Sequence, residues 1–274
     1  MLVVDVGGSA VKILATGQRE PRRFTSGPKL TPSRMVSEVR KLARDWNYDV
    51  VTIGYPGPVL HGRPMAEPYN LGRGWVGFDF ASAFGHPVKV INDAAMQALG
   101  SYKGGKMLFL GLGTGLGSAM IIDGIVEPME LAHLPYKKHT FEDYVGRAGL
   151  ERHGKNKWRR HVADVVARLI AALEPDDIVI GGGNASKLNT LPPHARIGDN
   201  ANAFRGGFRL WEKHGALTLR DAFKTTDLNR GGDAHGCTTR DLAHAIDRQA
   251  RGLAGAPRTP ARDAGAAFAS TVRR

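Results

Sequence analysis

The chain has 274 residues, 42% hydrophobic and 23% charged, the proportions of a globular protein long enough for one large domain or two lobes of ordinary size. Its formal net charge of +12 invites a polyanionic partner, whether nucleotide, polyphosphate or nucleic acid, although most individual lysines read as solvated surface. One cysteine, Cys237, excludes an internal disulfide and a cysteine-cluster zinc site; no run approaches the roughly 18 apolar residues of a membrane span, and Met1 leads almost directly into a strand, so a cytoplasmic protein is expected.

Residues 2–6 read as a buried strand, with KILATG at 12–17 as its hairpin partner across a pair of glycines. Thr31-Pro32 is a helix start, and Met35, Val39, Leu42 and Trp46 follow on one face. A strand from Val50 to Gly54 stops in YPGPV, where two prolines forbid further pairing. VKVIND at 88–93 is another strand, and AAMQALGSY after it has helical character. From Lys106 the pattern restarts with a strand, a glycine turn, a strand, an Asp123-Gly124 hairpin turn and a third strand. A long helix is expected from about Trp158 to Leu173, its stripe made by Val162, Val165, Val166, Leu169 and Ile170. It exits into EPDDIVIGGGN, a short buried strand and a third glycine loop. Two successive units of hairpin, helix and strand predict an α/β protein of two similar lobes with a cleft between them. Past Trp211 the texture turns to Ala, Gly, Arg and Asp; residues 213–274 carry eleven Lys and Arg against six Asp and read as a poorly packed basic tail with a short helix around 238–251.

Three glycine loops follow strands: Gly7-Gly8-Ser9, Gly113-Thr114-Gly115 and Gly181-Gly182-Gly183-Asn184. Glycines there let backbone N–H groups approach an anion, and three such loops together weigh more than three separate hairpin turns. Asp5 ends a buried strand beside such amides and would repel phosphate unless a cation lay between; magnesium, bound directly or through its waters, would supply it. Lys12 would meet phosphate oxygens from the second strand, or is an exposed hairpin lysine. On their own, Asn92 and Asp93 read as a strand end that caps the next helix. Glu130 and His133 alone read as a surface pair, and Tyr55, Trp75 and Trp211 as packing residues.

DVGGSAVK, YPGPV, PYNLGRGW, VINDAA, LGLGTGLGS, ELAH and IVIGGGN stand in an order and spacing that resemble the ROK (repressor, open reading frame, kinase) sugar kinases, closest to the bacterial branch that uses polyphosphate. The likeness spans roughly residues 1–211. It implies the two-lobed, actin-like, hexokinase-type (ribonuclease H-like) α/β ATPase fold, with lobes at 1–105 and 106–212 and the tail at 213–274. It also implies phosphoryl transfer from polyphosphate, ATP or both to a hexose, glucose foremost, with Mg2+. By the same resemblance Asp93 is the catalytic base. Gly57, Asn70, Asn92, Glu130 and His133 hold the sugar; Asp5, Gly7, Gly8, Ser9 and Lys12 form the first phosphate loop, and Gly113, Thr114 and Gly115 the second. Gly181, Gly182, Gly183 and Asn184 face the nucleoside end of the donor, and a homodimer is expected.

Several residues depart from the family pattern. Ala132 replaces the glycine before the family's histidine, and its methyl bears on the turn that aims His133. Ser9 replaces a threonine and keeps the hydroxyl. Ala95 stands where the polyphosphate-using branch often has an acid, and the cysteine-rich zinc motif is missing, so no structural zinc is expected. Rival readings are an N-acetylhexosamine kinase of the same fold and a non-catalytic sugar-sensing or polyanion-binding protein. The DNA-binding form of the latter is disfavoured by a first strand at residue 2, and nucleic acid is not an expected partner.

Overall fold

The computed structural model describes residues 1–199 and 201–212 and the backbone of 218–219. Apart from that pair, the expected basic tail, with Cys237 and the helix read at 238–251, lies outside the described residues.

Strand β1 (Leu2–Val6) pairs antiparallel with β2 (Ala10–Ala15), and β2 carries β3 (Arg22–Thr25) on its outer edge. Helix α1 (Pro32–Leu42) is capped by Thr31, whose hydroxyl accepts the Arg34 N–H, with Pro32 at its first position. The helix ends at Leu42, so Trp46, read as part of its stripe, lies past its end, yet it is buried in the same core. Strand β4 (Val51–Tyr55) lies parallel to β1. After it come the small hairpin β5 (Val59–Leu60) and β6 (Arg63–Pro64), the short helix α2 (Phe80–Phe84), and β7 (Val88–Asn92), parallel to β4. The five-stranded sheet therefore reads β3-β2-β1-β4-β7.

Helix α3 (Asp93–Ser101) leads to a second sheet, which opens with β8 (Lys106–Leu112), β9 (Leu116–Ile122) and β10 (Ile125–Met129). Asp123 and Gly124 turn between the last two with φ of 48° and 83°, the positive values that the Asp-Gly pair anticipates. A two-stranded ribbon of β11 (Pro135–Tyr136) and β12 (His139–Thr140) precedes α4 (Phe141–Val145) and α5 (Arg147–Leu173). Then follow β13 (Asp177–Gly181), β14 (Ala195–Ile197), α6 (Asn202–Arg209) and β15 (Thr218–Leu219). The order β14-β13-β8-β9-β10-β15 contains β10-β9-β8-β13-β14, which repeats the topology of the first sheet in reverse listing. Helix α5 begins well before Trp158, where the sequence placed its start. Gly154, at φ 70° and ψ 163°, interrupts it, and the segment before the interruption buries only Gly149, so it offers no apolar period to read.

Strand alternation distributes the core over three clusters. Leu2, Val4 and Val6 face the α1 side of the first sheet, while Val3 points the opposite way. Leu108, Leu110 and Leu112 face α5, while Met107 and Phe109 turn to the other side. Val3, Met107, Phe109 and Val179 share the middle cluster with α3 and α6, so both helices lie between the two sheets. Their crossing is close. A Cβ at Gly100 would stand 1.8 Å from the Asn202 carbonyl oxygen, and one at Gly206 would stand 1.8 Å from the Met96 carbonyl oxygen. Hydrogen bonds extend the clamp: Trp211 Nε1 donates to Thr52 Oγ1 (2.9 Å), which donates to the Gly207 carbonyl (2.8 Å). No helix among the described residues is long and apolar enough to cross a membrane.

Because neither backbone can retreat from that crossing, Gly100→Ala should destabilise the fold by about 3 kcal/mol. Urea denaturation measures it, and a loss within error of zero would show that the helices can separate without cost.

Candidate active site

In an open α/β sheet the carboxyl ends of parallel strands face outward into a crevice, where polar residues can meet a ligand without breaking the core. Every sequence-predicted group except Asn70, Lys12, Glu130 and His133 sits at such an end. Asp5 and the first glycine turn end β1, Gly57 follows β4, and Asn92-Asp93 end β7 and open α3. Gly113-Thr114-Gly115 follow β8, and Gly181 to Asn184 follow β13. A cavity of about 530 Å³ lies between the two sets. Gly8, Gly57, Asn70, Asn92, Asp93, Gly113, Thr114, Gly115, Glu130 and Gly182 line it. Gly7, Ser9, Asp5, Lys12, His133, Gly181, Gly183 and Asn184 stand outside the lining. Two other hollows, of about 590 and 620 Å³, lie beside α1 and contain none of the predicted residues.

Asp93 is the first residue of α3, and its Oδ1 accepts the Ala94 N–H at 2.8 Å. Burial raises its carboxyl pKa, the nearby Asp5 raises it further, and backbone N–H groups only partly oppose them, so it is pushed up to about 7. Asn92 is the helix cap: Oδ1 accepts the Ala95 N–H at 3.1 Å, and Nδ2 donates to the Gly57 carbonyl at 3.0 Å. The capping reading of this pair is correct for Asn92, whose second Nδ2 proton remains available. Asp5 and Lys12 are cross-strand partners in β1 and β2, which puts the ammonium 3.7 Å from the carboxylate. Burial outweighs that contact and raises the Asp5 pKa as well. Ser26, at the end of β3, holds the first glycine turn: its Oγ donates to the Gly7 carbonyl at 2.6 Å and its N–H to the Ser9 carbonyl at 3.1 Å. Nothing in the sequence around Ser26 announced that contact.

The second loop is fixed by Gly113 N–H donating to the Gly115 carbonyl (3.1 Å) and by Arg147 N–H donating to the Thr114 carbonyl (3.0 Å). A Cβ at Gly115 would stand 2.0 Å from Glu142 Oε2, which also accepts the Leu116 N–H at 3.3 Å. Glu142 and Asp143 line the cavity and were missed. The available signal was the spacing Thr140 to Asp143, a capping box that starts α4. In the third loop, Asn184 Nδ2 donates to the Gly113 carbonyl (2.9 Å) and its Oδ1 accepts from Lys187 Nζ (2.6 Å). That side chain therefore ties two loops together. Glu130 lines the cavity, whereas His133, its Nε2 3.8 Å from Glu130 Oε1, stands outside the lining; both side chains are exposed, at 66% and 71%. Ala132 is buried, its methyl absorbed by the core around α5, and Ala95 is buried in the middle cluster.

Two sheets of matching topology flanking such a cavity define the actin-like, hexokinase-type α/β fold. No family model matches the chain. It is 27% identical over 212 residues to the polyphosphate glucokinase of Mycobacterium tuberculosis, covering 69% of this chain and 80% of that protein. Among solved structures, the inorganic polyphosphate/ATP-glucomannokinase of Arthrobacter sp. strain KM superposes with a TM-score of 0.65 at 24% identity, over 76% of this chain and 96% of the other. A ROK family glucokinase from Streptomyces griseus, in complex with glucose and AMPPNP, gives a TM-score of 0.60 at 17% identity over 76% and 98%. The resemblance to ROK sugar kinases read from the motifs therefore holds.

A carboxyl whose folded pKa lies above its ordinary value contributes stability that is full below about pH 4 and is lost as pH rises through 7. In metal-free protein, carboxyl NMR should show Asp93 titrating near 7, and Asp5→Asn should move that midpoint downward. A midpoint below 5 would mean that the two acids do not share one buried space.

Proposed function

We propose that the chain is a sugar kinase, transferring a phosphoryl group from polyphosphate or ATP to a hexose hydroxyl, with glucose the leading acceptor. The observation that carries this reading is Asp93, a carboxyl near neutrality in pKa that opens into the same cavity as the Gly113-Thr114-Gly115 amides. With Oδ1 engaged by the Ala94 N–H, Oδ2 is the atom left to accept the hydroxyl proton. Asn92 and Asn70 hold neighbouring hydroxyls, and Glu130 reaches those on the far side. His133, whose Nε2 lies 3.8 Å from Glu130 Oε1, would grip a hydroxyl beside it. With the Gly113 N–H given to the Gly115 carbonyl, the Thr114 and Gly115 amides are the ones that neutralise charge spreading over the phosphoryl oxygens in a loose transition state. Aligning hydroxyl and phosphorus in such a crevice is worth roughly 7–11 kcal/mol.

The residues fit a magnesium ion. Asp5 and Asp93 place two acids in one buried region against the single ammonium of Lys12, an excess of negative charge that a divalent cation relieves. Among the described residues no group of three or more His, Cys, Asp or Glu is arranged as a metal cage, so Asp5 would hold the ion with waters and donor oxygens completing its shell. Bound there, it would supply charge neutralisation at the transferred group. The same proposal divides the chain into lobes at 1–105 and 106–212.

A coupled assay with magnesium, crossing several hexoses with ATP and polyphosphate, should show turnover of glucose. Asp93→Asn should lower kcat at least about a hundredfold while leaving the melting transition in place. Near-normal turnover in that variant would remove Asp93 from its role. Silence on every hexose and donor would sink the kinase reading.

A further inference from the structure

The stretch Pro68-Tyr69-Asn70-Leu71 is a turn: Pro68 and Leu71 are buried, the Leu71 N–H donates to the Pro68 carbonyl at 3.4 Å, and Tyr69 and Asn70 stand between them. Its surroundings brace it. The Tyr55 hydroxyl donates to the Ala66 carbonyl at 2.7 Å, and the Glu67 carboxylate accepts the N–H groups of Trp75 and Val76 at 3.1 and 3.3 Å. On the other side the Gly72 N–H donates to the Leu30 carbonyl at 3.0 Å. A Cβ at Gly8 would stand 3.3 Å from the Asn70 Cβ, so the turn rests against the first glycine loop. Asparagine suits the middle of a turn, but nothing in turn geometry asks for an aromatic before it.

Tyr69 is nonetheless 98% exposed, and no hydrogen bond or ring contact among the described residues engages its side chain. The other exposed apolar side chains of this region, Leu60, Met65 and Val76, keep roughly half their surface covered and stand outside the cavity lining, whereas Tyr69 belongs to it. Among the described residues the lining holds two aromatic side chains, and the other, Phe109, is buried in the middle cluster. Tyr69 is therefore the ring free to meet a ligand there. A lone apolar residue on a surface is ordinary. A wholly uncovered ring on a braced turn, at the rim of a cavity and beside a second lining residue, adds nothing to the fold.

We propose that Tyr69 is a specificity-determining residue for the acceptor: its ring covers one C–H face of the pyranose while Asn70 takes a hydroxyl at the edge. This rests on the kinase reading and deepens it by assigning a residue that selects the sugar. A hexose is polar around its rim and apolar on its two faces. The Asn70, Asn92, Asp93 and Glu130 side chains of the lining serve the rim, and an aromatic ring supplies the flat apolar surface that a face requires. An exposed side chain changes rotamer within nanoseconds, so Tyr69 reaches its place without movement of the braced turn. Selectivity follows from stereochemistry. In the chair form of β-glucose every ring hydroxyl is equatorial and both faces carry axial C–H bonds. Mannose, at C2, and galactose, at C4, each turn one hydroxyl onto the same face, whereas allose, at C3, turns one onto the opposite face. A ring pressed on one face therefore rejects the epimers that place a hydroxyl there, since that hydroxyl would lose its water without gaining a partner.

The test compares the full-length protein with Tyr69→Ala and Tyr69→Phe, measuring KM and kcat for glucose with magnesium and saturating donor, and the inhibition constants of mannose, galactose and allose as competitors of glucose. Tyr69→Ala should raise KM for glucose at least about fivefold and leave kcat within about twofold, the pattern of an interaction made equally in ground and transition states. Tyr69→Phe keeps the ring and should recover a KM within about twofold of native. Because the side chain is exposed and unpartnered, the melting transition of Tyr69→Ala should not move. In Tyr69→Ala the discrimination between glucose and its epimers should narrow at least about threefold, for mannose and galactose together or for allose alone, and that choice identifies the covered face. A native KM for glucose in Tyr69→Ala would overturn the assignment and leave the kinase reading standing. Tyr69→Phe as impaired as Tyr69→Ala, or discrimination unchanged for every epimer, would overturn it too. If no donor supports turnover of the native protein, the kinase reading fails, and calorimetric titration with glucose decides separately. Weaker binding by Tyr69→Ala than by native protein then supports the platform, and equal or absent binding refutes it.

Discussion

The molecule depends on holding one acid, Asp93, at a junction where three demands meet. It must end a buried parallel strand, begin the helix that runs between the two sheets, and present an oxygen to the crevice. Helix geometry satisfies the first oxygen through the Ala94 N–H, and Asn92 takes over the capping that Asp93 would otherwise perform. Burial and the neighbouring Asp5 then set the acid's protonation against its helix-start position, which favours the ionised form. Burial prevails.

That junction also explains why α3 and α6 touch so closely. The cavity's floor is α3, so any slack between α3 and the sheets would move Asp93 relative to the Thr114 loop. Gly100 and Gly206 let the helix backbones approach to a distance that no side chain permits, and Thr52, Gly207 and Trp211 lock the partner helix onto the first sheet. The residues that hold the loops are likewise spent on positioning. Ser26 props the first glycine turn, and Asn184 joins the second to the third.

Much of this was legible in the chain because parallel strands buried on both faces are uninterrupted apolar runs, and glycines mark where they end. The β1, β8 and β13 strands followed from those two signals, while β4 was ended by its prolines, β7 by its polar Asn92-Asp93 pair, and the Asp123-Gly124 turn by its own hairpin chemistry; the role of Asp93 came from the family resemblance. The α6 helix did not, because its buried face is Asn202, Ala203, Phe204, Gly206 and Gly207, a surface chosen for close approach and not for oiliness. The first segment of α5 has no apolar stripe, and β11 and β12 are two residues each. Spacing correctly put His133 beside Glu130, but only tertiary packing determines that Glu130 lines the cavity and His133 does not. Glu142 was hidden for the same reason: the Thr140–Asp143 capping box around it is local, whereas its own contact with Gly115 spans two elements.

The buried acid has an evolutionary corollary. A site that keeps a carboxyl away from water, beside another of like sign, holds the whole fold below the endurance it would reach with an amide there. Selection for heat resistance alone would erase it, so its presence in such a setting records a demand that robustness does not supply.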